Sequence, residues 1–178
     1  MKVRIENVKQ MMVQRGFKIC KEEESYLIGS REAQDEEDKE YIYIKIFNDK
    51  FELKVVREFL SSTFNLESFN LKLKTSNKNV VQLVIISNSF QNSHVKEFME
   101  VSKHIQLFRS DFFDINITKK APKHHKIDGN LIKNKREIAV IRVDDPICLF
   151  YKFEKGDLIR VVRFDGEFNG DQEYFMFA

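Results

Sequence analysis

The chain has 178 residues, 42% of them hydrophobic and 33% charged, with a formal net charge of +2. That length holds one good core plus a satellite, or two small domains. The weak net charge does not mark a dedicated nucleic-acid binder, although its distribution matters more than its sum, and the lack of any apolar run of about 18 residues excludes a helical membrane span. Cys20 and Cys148 alone make no disulfide framework, and the N-terminus lacks a signal peptide's apolar core, so the expectation is an intracellular chain with reduced thiols.

In chain order, Val3, Val8, Met11 and Met12 share an apolar side, with Ile5 at its edge. They predict a helix over residues 3–15, stopped by Gly16 and followed by Phe17 and Ile19 as the packed return. Residues 22–40 hold nine Asp or Glu among nineteen, against Arg31 and Lys39. With almost nothing to bury from 30 to 40, this stretch reads as a mobile acidic loop. Residues 41–47 predict a strand, with Ile42, Ile44 and Ile46 on one face and Tyr41, Tyr43, Lys45 and Phe47 on the other. Asn48-Asp49 turns the chain, and Leu53, Val56, Phe59 and Leu60 predict a helix over 51–63. Phe69, Leu71 and Leu73 give a short strand, Asn77 and Asn79 flank a turn, and residues 80–86 are apolar enough for a central strand. Val95, Phe98, Met99 and Val101 predict a helix over 94–103, and strands follow at 105–108 and 112–117. This order mixes crossovers with hairpins, as a layered mixed α/β domain does.

From 119 to 136 the character changes. Lys119, Lys120, Lys123, Lys126, Lys133, Lys135 and Arg136 stand against one acid, Asp128, and Pro122 and Gly129 break any long element. The stretch reads as a basic linker at a domain boundary, giving residues 1–118, a linker over 119–137, and residues 138–178. Its lysines are either a solvated hinge or salt-dependent phosphate contacts, with Lys119, Lys120, Lys123 and Lys126 the candidates. His124-His125 reads as solvated.

Residues 145–178 have the strongest local grammar. Asp145 caps a helix with Pro146 at its first position, Ile147, Leu149, Phe150 and Phe153 follow at helical spacing, and Gly156 is the expected stop. A strand over 158–164 turns through 165–171, which holds Gly166 and Gly170, and returns at 174–177. Eight aromatics fall in this short unit, and the strand does not alternate cleanly: Leu158 and Ile159 are adjacent, as are Val161 and Val162. Such a strand expects cover on both faces, and a unit this small has little interior to supply it. The cover comes either from the rest of the chain or from a partner. Cys148, set among Ile147, Leu149 and Phe150, reads as packing.

Little catalytic chemistry is legible. No glycine-rich phosphate loop follows a strand, no His and Cys stand at zinc spacing, no activated nucleophile is indicated, and no cofactor is expected. One enzymatic reading stands beside the others: Asp49 with Glu52-Leu53-Lys54 resembles the acid and Glu-x-Lys triplet of metal-dependent nucleases, whose carboxylates hold magnesium and position water. Against it, the triplet falls at the start of a predicted helix rather than late in a strand.

The stretch from Asp145 to Arg163 resembles the C-terminal signature of the fifth-largest common subunit of eukaryotic-type RNA polymerases, a family that includes its archaeal counterpart. The matching pieces are Asp145-Pro146 opening a short helix, Lys155-Gly156, the strand from Leu158 to Arg163, and Tyr174 near the terminus. Val8 to Phe17, ending Arg15-Gly16-Phe17, is similar to the family's first helix. Ile115-Asn116-Ile117-Thr118 with Pro122-Lys123-His124 is similar to the pieces that join its domains. Departures are the short spacer before Asp145, Val140 in place of an expected proline, and the unmatched acidic loop.

The resemblance implies an α+β chain. Its N-terminal mixed α/β jaw domain has nuclease-like topology without catalysis and lies near downstream DNA. A small C-terminal helix–hairpin assembly domain docks on the largest subunit, through Asp145, Pro146, Ile147, Phe150, Phe153, Gly156, Ile159, Val161, Arg163 and Tyr174. The implied partners are the largest and other polymerase subunits, with DNA nearby, and neither a membrane nor a small-molecule substrate. The divergence points to a large DNA virus, hence to a virion, host cytoplasm or viral factory; a cellular member belongs in the nucleus. The alternatives are the magnesium-dependent nuclease and an adaptor of some other complex.

Overall fold

The computed structural model describes residues 3–33, 39–48, 52–67, 70–75, 79–91, 93–95, 98, 104–128, 138–165 and 170–178. The fold is of the α+β class, in two units, Met1–Ile115 and Asn116–Ala178.

In the first unit, α1 (Ile5–Gln14) leads into strands β1 (Lys18–Glu23), β2 (Tyr26–Glu32) and β3 (Lys39–Phe47). Helix α2 (Leu53–Thr63) is followed by β4 (Phe64–Glu67), β5 (Asn70–Leu73), β6 (Asn79–Ser87) and β7 (Ile105–Arg109). They form one seven-stranded sheet in the order β1-β2-β3-β6-β5-β4, with β7 also on β6. The pairs β3/β6 and β6/β7 are parallel and the hairpins antiparallel, so crossovers and hairpins are mixed.

The alternation of β3 decides its two faces. Ile42, Ile44 and Ile46 lie buried on one, together with Leu27 of β2. Helix α1 packs there: a Cβ added at Gly29 would stand 2.7 Å from Met12 Cε and 3.1 Å from Ile42 Cγ2. Gly29 thus marks a close approach of helix to sheet. Asn7 Nδ2 donates to the Phe113 carbonyl at 2.7 Å, tying α1 to the 3-10 turn Ser110–Phe113. On the opposite face Tyr43, Leu83 and Ile85 meet Val56 and Leu60 of α2, Phe64, and Phe98, which is helical as are residues 93–95.

Three expectations for this unit are corrected. The supposed acidic loop over 22–40 contains β2 and the start of β3; Leu27, wholly buried, and the ladder to β3 supply what the acidic composition conceals. Residues 34–38 lie outside the described residues. Residues 112–117 form no strand. The 3-10 turn ends at Phe113, and Asn116 Oδ1 accepts from Thr118 N at 3.0 Å, capping α3 (Ile117–Lys120) of the second unit. The third is β4, an added strand that pairs with β5. Phe69, Asn77 and most of the expected 94–103 helix lie outside the described residues.

The second unit is a four-stranded sheet in the order β8-β10-β11-β9, built from β8 (Lys123–Ile127), β9 (Ala139–Val140), β10 (Leu158–Asp165) and β11 (Gly170–Phe177). Helix α4 (Pro146–Tyr151) precedes the hairpin. The stretch expected as a linker therefore contributes a strand, because residues 123–127 complete the ladder of β10. The division of the chain falls after Ile115.

Asp145 caps α4 as expected, its Oδ1 accepting from Ile147 N at 2.8 Å, with Pro146 in the first turn. The stop is corrected: Lys152, at φ 58°, takes the left-handed position, and Phe153 N donates back to Cys148 O at 2.9 Å. Gly156, at φ 95°, instead shapes the turn before β10. Cys148 and Phe153 pack on Ile159, Val161 and Ala178, with Ile141, Ile147, Tyr151 and Met176 around them.

Candidate functional site

Antiparallel register sorts the second unit's sheet into two faces, since residues two apart share a face. On the helix-covered face stand His124, Lys126, Ile159, Val161, Arg163 and Met176. The ladder puts Ile127, Leu158, Phe177 and Val140 in one row across all four strands on the other face. Beside that row lies a second one, His125, Arg160 and Phe175. The apolar row was not legible from sequence. Its signal is the register, which places residues from four separated segments side by side.

The expected docking residues divide sharply. Phe150, Phe153, Ile159 and Val161 are buried, the last two completely, and Phe153, Ile159 and Val161 serve as the unit's own core. Asp145 and Ile147 are half-buried, while Pro146, Gly156 and Arg163 are exposed. Tyr174 pairs with Val161 in the ladder; its side chain is outside the described residues. The outward apolar groups are instead Val140, 75% exposed, Val143 and Phe175. Cys148 is buried as expected, and burial pushes its thiol up to about 11, the opposite of what a nucleophile needs.

His124, expected to be solvated, is 7% exposed, while His125 is exposed. The alternation of β8 separates them. His124 Nδ1–H donates to the Pro122 carbonyl at 2.6 Å, and its ring lies 6.1 Å from that of Tyr151. Burial is the largest influence on its pKa and lowers it below the ordinary imidazole value, the Pro122 hydrogen bond opposing. The unfolded chain therefore binds the proton more readily than the folded one. Stability of this unit should be fully present above about pH 6.5 and should fall as the pH drops below it. Thermal melts between pH 7.5 and 5 check this: His124→Gln should flatten the decline, and an unchanged slope would exclude His124 as its source.

The four expected phosphate contacts also divide. Lys126 Nζ lies 2.7 Å from Asp157 Oδ1, a pair that ties β8 to the turn before β10. Lys119, Lys120 and Lys123 are exposed, and no ion pair involves them among the described residues.

In the first unit, Glu52 is the residue before α2 and Lys54 lies in its first turn, 85% exposed and 3.9 Å from Glu58. Asp49 lies outside the described residues. Among the described residues no three His, Cys, Asp or Glu side chains gather as a metal would require, and no helix is long and apolar enough to cross a membrane. A cleft lined by Val3, Ile5, Glu22, Glu23, Glu24, Ile46 and Asn48 opens beside α1, with Glu22 held by Lys9 at 2.8 Å and Glu23 by Lys21 at 3.5 Å.

No family model matches the chain. It is 51% identical over 169 residues to the uncharacterized protein 092R of Invertebrate iridescent virus 3, an alignment covering 93% of this chain and 96% of that protein.

Proposed function

The chain belongs to the family of protein 092R of Invertebrate iridescent virus 3, and we propose that it is a non-catalytic subunit of a multisubunit DNA-directed RNA polymerase. In this reading the first unit is the jaw domain, nuclease-like in topology and near downstream DNA. The second unit docks on the largest subunit.

The observation that carries the reading is the last third of the chain. The Asp145-Pro146 cap, the short α4 and the β10–β11 hairpin stand in the order that the polymerase-subunit resemblance requires. A viral relative fits the divergence of the intervening segments. Because Phe153, Ile159 and Val161 close the unit's own core and Phe150 is buried, docking falls to the outward groups, Pro146, Val140, Phe175 and Arg163. Apolar and arginine side chains of this kind anchor protein interfaces.

The test is capture of the full chain, tagged at its N-terminus, from its native extract, followed by mass spectrometry. The expected result is co-recovery of the largest polymerase subunits in comparable amounts. Recovery of the chain alone, or with an unrelated complex, would end this reading.

A further inference from the structure

We infer that the strip formed by the C-terminal residues of α3 and the outer strand β8 is a contact for the phosphodiester backbone of duplex DNA. The inference rests on the polymerase reading for its biological setting, and the chemistry stands on the strip itself. Lys119 and Lys120 end α3, and Lys123 and His125 follow on β8, all four exposed. Strand β8 lies at the edge of its sheet, next to β10 alone among the described strands. Lys123 and His125 share one face, and residues two apart on a strand are about 7 Å from each other. That is close to the separation of successive phosphates along one strand of a duplex.

The ion pairing identifies which cations are available. Lys126 is engaged by Asp157 at 2.7 Å and is on the helix-covered face, with His124 buried beside it. Lys119, Lys120 and Lys123 have no such carboxylate among the described residues. An acidic protein segment is the competing partner. It would need apolar anchors as well as charge; between Lys120 and Lys123 stand only Ala121 and Pro122, both half-buried, and the exposed ring on that face, Phe175, lies two strands from β8 with Arg160 between. A polyanion read without sequence preference needs charge alone.

The experiment is fluorescence anisotropy of the full chain with a labelled duplex of arbitrary sequence, across a salt series. Neutralising three phosphates predicts a slope of log affinity on log salt of about −3. The triple variant K119Q/K120Q/K123Q should bind at least about tenfold more weakly, with a slope near zero, while K126Q stays within about twofold of the parent. An unchanged affinity in the triple variant overturns the inference. So does equal competition by poly-glutamate at matched charge, which would assign the strip to an acidic protein. Unchanged melting curves of the triple variant exclude unfolding as the cause. Native capture separates this inference from the polymerase reading: loss of duplex binding with polymerase capture intact isolates the strip, and failed capture with duplex binding intact removes only the setting.

Discussion

Replacing Val161 with Asp is expected to unfold the second unit and leave the first standing. Val161 is wholly buried on the helix-covered face, in a core shared with Cys148, Phe153, Ile159 and Ala178. A carboxylate there faces His124 across the ladder, but burial disfavours the charged imidazole, so at pH 7.5 and above it has no ready cation, and an unpaired buried charge costs several kcal/mol, about 4 or more after relaxation. A core of this size rarely supplies more than about 3–5 kcal/mol. The substitution therefore consumes the unit's stability rather than denting it. Hydrogen exchange is the measurement: amides of residues 158–162 should lose protection, while those of 42–46 keep theirs. Persistent protection at 158–162 would mean that the core of Cys148, Phe153 and Ile159 does not sustain the unit. The same variant should lose polymerase capture, because the outward groups are carried on that core.

The second large effect is expected at Phe64, where α2 gives way to β4. Its ring meets Tyr43 edge-on at 5.4 Å and 82°, and Phe59 at 5.8 Å and 85°, and Tyr43 in turn stacks on Tyr26 at 5.5 Å. Tyr43 is so enclosed that burial pushes its hydroxyl up to about 12. Phe64→Ala removes a side chain that is 2% exposed and leaves a cavity among rings held by sheet and helix. The cost is about 3–5 kcal/mol, part of it from the lost edge-to-face contacts. Urea unfolding of the full chain should show the first unit's transition moved to lower concentration by more than about 1 M, with the second unit's unmoved. A shift under about 0.3 M would show that the ring cluster carries little of the first unit's stability.

Where burial writes itself into the sequence, the fold was legible: β3 with its isoleucines, β6 as the apolar central strand, α1, α2 and the Asp145-Pro146 cap. Among the strands that were missed, β2 and β8 were concealed because their reasons for existing lie in partners. Strand β2 sits in acid-rich surroundings and is held by ladders on both sides, with Leu27 and Ile28 as its main apolar content. Strand β8 reads Lys-His-His-Lys-Ile and exists because β10 offers it an edge. The 112–117 run was over-read in the other direction: Phe108, Phe112 and Phe113 cluster around a turn, their rings 4.7–5.5 Å apart, rather than along a strand. For the candidate site, residue types were legible and roles less so. Sequence gathers Ile159, Val161 and Phe153 with Pro146 and Arg163; Arg163 even shares the face of Ile159 and Val161, and only burial in the folded unit separates it from them.

The contact at Gly29 constrains how this family can change. Helix α1 rests on the sheet through a missing side chain, with Met12 occupying the space a methyl group would take and Ile42 and the Lys18 carbonyl closing its sides at 3.1 Å. Positions 12, 29 and 42 therefore share one fixed volume. Enlargement at one must be matched by shrinkage at another, and the three should drift together through related viral genomes while their neighbours on the solvent side vary independently.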